Sequence, residues 1–145
     1  MNFNTLFQLY AAVQEGYTPV VEAKRLLFIP DALSYMLTGK EFCEYTIAST
    51  SQMLNPRNGE FEESLLKTAG VRADALPKPQ LPGVVIGPLT DALAIDTRIG
   101  KVDVVAVAGH DTASAVAAFN DVCTGGNPRP TSVEDIAKLY EIAFE

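Results

Sequence analysis

Apolar positions near the start of the chain recur at helical spacing. Leu6, Leu9, Tyr10 and Val13 predict an amphipathic helix over 5–15 that stops at Gly16. Pro19 suits the first turn of a second helix running through Leu27, and Pro30 and Asp31 open a third. In that third helix Leu33, Met36 and Leu37 share one face ahead of Gly39. Residues 45–51, Tyr-Thr-Ile-Ala-Ser-Thr-Ser, are rich in β-branched and hydroxyl side chains. They end on the turn signals Asn55-Pro56 and Asn58-Gly59, a pattern that predicts a strand running into a turn. Helical spacing resumes over 61–69, with Phe61, Leu65 and Leu66 inward and Gly70 as the stop.

Proline then takes over. Pro77, Pro79, Pro82 and Pro88, with Gly83 and Gly87, enforce an extended connector in which Val84-Val85-Ile86 forms a brief strand. A helix is expected over 89–99. The apolar run 102–108 reads as a strand in the middle of a sheet, covered on both faces. Gly109-His110-Asp111-Thr112 interrupts that run, and small residues from Ala113 to Phe119 resume as a helix. Ligands of open α/β sheets gather beyond the carboxyl ends of such strands, so His110, Asp111 and Thr112 occupy the place where chemistry is usually found. Residues 121–131, with Thr124-Gly125-Gly126-Asn127-Pro128, read as a linker, and 132–145 as a final helix. There Ser132 caps, Asp135 favours the helix start, and Ile136, Leu139, Tyr140 and Ala143 form one apolar stripe.

The chain has 145 residues, 48% of them hydrophobic and 20% charged, enough for one domain with a sizeable core. At that length about 68% of the unfolded surface is hidden on folding, so neither a disulfide nor a structural metal is required. A net charge of −7 with no basic cluster longer than Lys24-Arg25 argues against a nucleic-acid or anionic-lipid partner. Residues 101–145, with three basic and seven acidic side chains, continue that acidic balance. Cys43 and Cys123 stand eighty positions apart, and one histidine leaves too few soft ligands for a zinc site. No secretory leader and no membrane-length apolar run is present, which points to the cytoplasm.

Asp111 supports two readings on local pattern. An aspartate before Thr-Ala-Ser-Ala is a good helix N-cap, and a carboxylate in that place can also accept a hydroxyl proton as a phosphoryl group arrives in line. His110 can bond a substrate hydroxyl or serve as a structural donor. Thr46, Ser49, Thr50 and Ser51 have no base beside them, so nucleophilic catalysis is set aside. Gly125-Gly126 lacks the Gly-Lys-Ser/Thr of a phosphate loop, and Glu60, Glu62 and Glu63 fit a solvated helix start.

Several runs together resemble a known family. Asn4-Thr5-Leu6-Phe7-Gln8-Leu9, Leu26-Leu27-Phe28-Ile29-Pro30-Asp31 and Leu37-Thr38-Gly39 are followed by Glu44-Tyr45-Thr46-Ile47-Ala48-Ser49-Thr50-Ser51-Gln52. With Ala106-Val107-Ala108-Gly109-His110-Asp111-Thr112-Ala113-Ser114-Ala115-Val116, they resemble the rhamnulokinase branch of the FGGY carbohydrate kinases in order and length. The likeness runs from about residue 2 to about residue 118, and the Gly-His-Asp-Thr-Ala-Ser run separates this branch from its glycerol and xylulose relatives.

The resemblance implies a partial α/β domain of the ribonuclease-H-like, actin-like ATPase fold, helix-rich with few strands and spanning 1–120. It also implies ATP-dependent phosphorylation of L-rhamnulose at O1 with Mg2+, a small ketose as partner, Asp111 as catalytic base, and His110, Asp111 and Thr112 as the sugar-binding tripeptide. Three departures accompany it. The chain starts after the family's phosphate loop, Phe119 onward does not follow the family, and Phe61 stands where tryptophan is usual. On this reading no cofactor-binding or metal-binding residue is assigned, and the chain is a kinase fragment expected not to turn over alone. Two other outcomes are a half-enzyme completed in trans and a non-catalytic module whose last helix docks on a partner. Strand 102–108, lacking neighbours, would expose an edge and an apolar face that invite self-association.

Overall fold

In the computed structural model, which describes residues 4–120, 132–134 and 138, the chain divides into two compact units, Met1–Val107 and Ala108–Glu145. The first unit begins with helix α1 (Thr5–Gln14), α2 (Thr18–Val21) and α3 (Ile29–Thr38). Leu6 and Leu9 of α1 pack on two buried groups, Met53 with Leu66 and Leu76, and Ala69 with Val71 and Ala75. Helix α2 is shorter than its pattern predicts. It ends before Leu26 because that amide donates to the Ala75 carbonyl at 2.8 Å, which holds the following segment out of a helical ladder. Gly39 closes α3 in the left-handed conformation, as its position predicts.

The apolar face shared by Leu33, Met36 and Leu37 of α3 is not buried. Leu33 and Met36 are 57% and 70% exposed, and the buried side chain of this helix is Asp31.

A second correction concerns 45–51, which forms helix α4 (Tyr45–Ser49) and not a strand. Glu44 sits at its N-cap and accepts the amides of Thr46 at 2.8 Å and Ile47 at 3.1 Å. The hydroxyls that suggested a strand are spent inside the turns: Ser49, Thr50 and Ser51 donate to the carbonyls of Thr46, Ile47 and Ala48. The predicted turn follows, closed by Asn55 and Asn58 side chains that accept the amides of Arg57 and Glu60. An antiparallel bridge then joins Leu54 to Phe61. Helix α5 (Glu63–Thr68) buries Leu66, and Phe61 packs on the same core.

Beyond the proline-rich connector, β1 (Val85–Pro88) pairs antiparallel with β2 (Asp103–Val105), with α6 (Asp91–Thr97) between them. The register places Val85 opposite Val105 and Pro88 opposite Asp103, with an irregularity between Val85 and Gly87. One side of the pair is covered by Phe42, Ile86, Ala106 and Val104, while Val85, Val102, Val105 and Val107 remain exposed. The predicted central strand covered on both faces is therefore, among the described residues, a short partner in a two-stranded sheet. The helix-rich, strand-poor expectation holds.

The second unit holds α7 (Asp111–Asn120), and Val133, Glu134 and Lys138 are helical. The predicted linker 121–131, the apolar stripe of Ile136, Leu139, Tyr140 and Ala143, and Cys123 and Asp135 lie outside the described residues. No helix among the described residues is long and apolar enough to cross a membrane.

Candidate functional site

The tripeptide His110, Asp111 and Thr112 forms the entry to α7. The Ser114 amide donates to the His110 carbonyl at 3.0 Å, the first bond of the helical ladder. His110 therefore stands at the cap position and Asp111 is the first helical residue, which corrects the N-cap role read for Asp111. Freed from capping, the Asp111 carboxylate engages its own neighbour. Oδ1 accepts the Thr112 amide at 2.5 Å and the Thr112 hydroxyl at 3.2 Å. His110 Nε2 stands 3.5 Å from the same oxygen, a separation that becomes an ion pair when the imidazole is protonated.

No hydrogen bond among the described residues engages Asp111 Oδ2, and the side chain is 60% exposed. One oxygen is thus held and the other presented, the geometry a proton acceptor needs. Sequence reasoning missed Ser114. Its hydroxyl donates to the Ala108 carbonyl at 3.0 Å, and nothing in its spacing distinguishes it from the small residues around it.

In the first unit a pair of buried carboxylates went unread. Asp31 and Glu44 are each 2% exposed, and the Glu44 amide donates to Asp31 Oδ1 at 3.0 Å. Asp31 Oδ2 is buried with no hydrogen-bond partner, and burial pushes this carboxyl up to about 6. Cys43 lies between them in sequence and is 1% exposed, with its thiol pushed up to about 12 by burial and by the charges of Asp31 and Glu44. The pattern of the sequence marks Asp31 only as part of a helix opening.

At the helix start once read as solvated, Glu60 and Glu62 are held below the usual carboxylate range, Glu60 by Lys78 and Glu62 by Asn55. Among the described residues no three His, Cys, Asp or Glu side chains converge where a metal could sit.

Residues 1–118 match the profile of the FGGY family of carbohydrate kinases, N-terminal domain. The rhamnulokinase of Bacteroides thetaiotaomicron is 48% identical over 118 residues, which cover 81% of this chain and 24% of that protein. For the rhamnulokinase of Yersinia pestis the identity is 47% over 116 residues, covering 80% and 23%. The chain thus spans about a quarter of the length of these curated relatives. Among solved structures, the xylulose kinase from Rhodospirillum rubrum superposes with a TM-score of 0.72 at 17% identity, covering 83% of this chain and 25% of that one. The gluconate kinase from Lactobacillus acidophilus gives 0.67 at 21%, covering 77% and 23%. These likenesses establish the fold, part of an actin-like ATPase domain.

Proposed function

Since this chain belongs to the FGGY family of carbohydrate kinases, we propose that it carries the sugar side of a rhamnulokinase reaction, with Asp111 as the base for the 1-hydroxyl of L-rhamnulose. The observation that supports this reading is the split use of the Asp111 carboxylate. Thr112 fixes Oδ1 through its amide and hydroxyl, and Oδ2 is left to accept a proton. As the sugar oxygen bonds to the transferred phosphorus and the bond from that phosphorus to the ADP leaving oxygen breaks, the hydroxyl proton passes to Oδ2, and His110 Nε2 hydrogen-bonds a neighbouring sugar hydroxyl. ATP would supply the phosphoryl group and Mg2+ would neutralise its charge. No described residue is assigned to either. A cytoplasmic location suits a reaction that draws on ATP.

The test is titration of the chain with L-rhamnulose, followed by amide NMR. The expected result is saturable movement of the His110, Asp111 and Thr112 signals, with affinity reduced at least tenfold by Asp111→Ala. Signals that stay in place at millimolar sugar defeat the proposal.

A second reading, self-association of a binding module, is favoured by Ile29, Leu33 and Met36, which stand 57–77% exposed along α3. Sedimentation would then show a dimer that Ile29→Ser with Met36→Ser returns to monomer.

A further inference from the structure

We propose that Ser114 is the positioning residue of this site: its amide and hydroxyl together fasten residues 108–110 to the first turn of α7 and so set where Asp111 presents its carboxylate. The inference rests on the sugar-site reading and deepens it.

A serine inside a helix usually turns its hydroxyl back to the carbonyl four residues earlier. Here that carbonyl belongs to His110 and accepts the Ser114 amide at 3.0 Å, but not the hydroxyl. The hydroxyl reaches past it to the Ala108 carbonyl, six residues back, also at 3.0 Å. Ala108 precedes the helix, so its carbonyl lies outside the helical ladder. Alanine is the better helix former, and the neighbours at 113 and 115 are both alanine, so helix formation gives no reason for a serine at this place.

The two bonds from one residue bracket Gly109, the point in the turn with the greatest backbone freedom. With both in place, the backbone on either side of Gly109 is anchored, and His110 and Asp111 leave it in one direction. Without the hydroxyl, residues 108–109 pivot and the carboxylate loses its aim, and small misplacements of a reacting group have large effects.

The experiment compares the whole chain with Ser114→Ala, Ser114→Thr and Ser114→Cys, using L-rhamnulose as the probe. Loss of one hydrogen bond predicts an affinity about fivefold weaker for Ser114→Ala. Ser114→Thr, which keeps the hydroxyl, should bind within twofold of the parent. The NMR signal of the Thr112 amide, which donates to the Asp111 carboxylate at 2.5 Å, serves as the second readout. It should move in the alanine variant and stay put in the threonine variant, while the Leu66 amide in the other unit does not respond. If Ser114→Ala fails to fold, Ser114→Cys preserves the volume with a weak donor and should show the same two changes.

Binding and a Thr112 signal unchanged in both the alanine and cysteine variants overturn the proposal. Should the parent chain not bind L-rhamnulose, the sugar reading falls on its own. The Thr112 signal then decides the role of Ser114, moving if the residue positions Asp111 and standing still if it does not.

Discussion

The backbone amide of Glu44 donates to Asp31 Oδ1 at 3.0 Å, and the other oxygen of that carboxylate is buried with no partner. The bond joins the first turn of α3 to the N-cap of α4, so one acid side chain links two helices through residues thirteen positions apart in the sequence. Burial raises this carboxyl most, and the charge of Glu44 adds to the effect.

Asp31 should make the protein less stable as pH rises. Its folded carboxyl sits at about 6 against an ordinary value of 3.8, so between these limits the folded state holds the extra proton. Its stabilising contribution is full below pH 4 and is lost as pH climbs through 6, on the order of 3 kcal/mol in all. Glu60, Glu62 and Asp74 act with the opposite sign, because their partners hold them below the usual range. Urea midpoints of Asp31→Asn and the parent should therefore be compared at each pH. The variant gains on the parent from pH 4 to pH 7, and parallel curves would show that Asp31 does not titrate this way.

Glu44→Ala removes a cap that serves two amides and also the Thr46 hydroxyl, which lies 2.5 Å from Oε2. A loss of about 2 kcal/mol is expected from the cap, with further cost from donors left buried. Glu44→Gln retains an acceptor oxygen and should recover part of it. Chemical denaturation of the three proteins at pH 7 measures the order.

Two glycines of similar conformation should respond differently to alanine. At Gly70, φ is +73° and an added Cβ would stand 2.7 Å from Val13 Cγ1, whereas at Gly16, φ is +68° with open space around it. Gly16→Ala should cost about 1 kcal/mol for its left-handed backbone alone. Gly70→Ala adds a clash between α5's end and α1 and should cost roughly 2–4 kcal/mol. Trimming the obstacle with Val13→Ala should narrow the gap between the two glycine variants, which a double-mutant cycle would read.

Helix positions with proline or glycine punctuation were legible in the sequence, as α1, α3 and α5 show, because capping and stop signals act locally. Residues 45–51 were misread because their β-branched side chains speak to a weak preference, and the deciding interaction is a glutamate cap, a residue type outside the usual capping set. The strand at 103–105 was placed correctly but its surroundings were not, since an apolar run does not state how many neighbours cover it. At the site, the motif identified His110, Asp111 and Thr112, yet the cap fell one residue earlier than read. The Ser114 bond to Ala108 crosses six residues and has no sequence signature.

The burial of Cys43 makes it a natural reporter on the integrity of the first unit. With its thiol pushed up to about 12 and only 1% of its surface open, almost no thiolate exists for a maleimide or a peroxide to find at neutral pH. Labelling at this position therefore counts openings of the α3–α4 junction, and its rate follows how often that part of the chain comes apart.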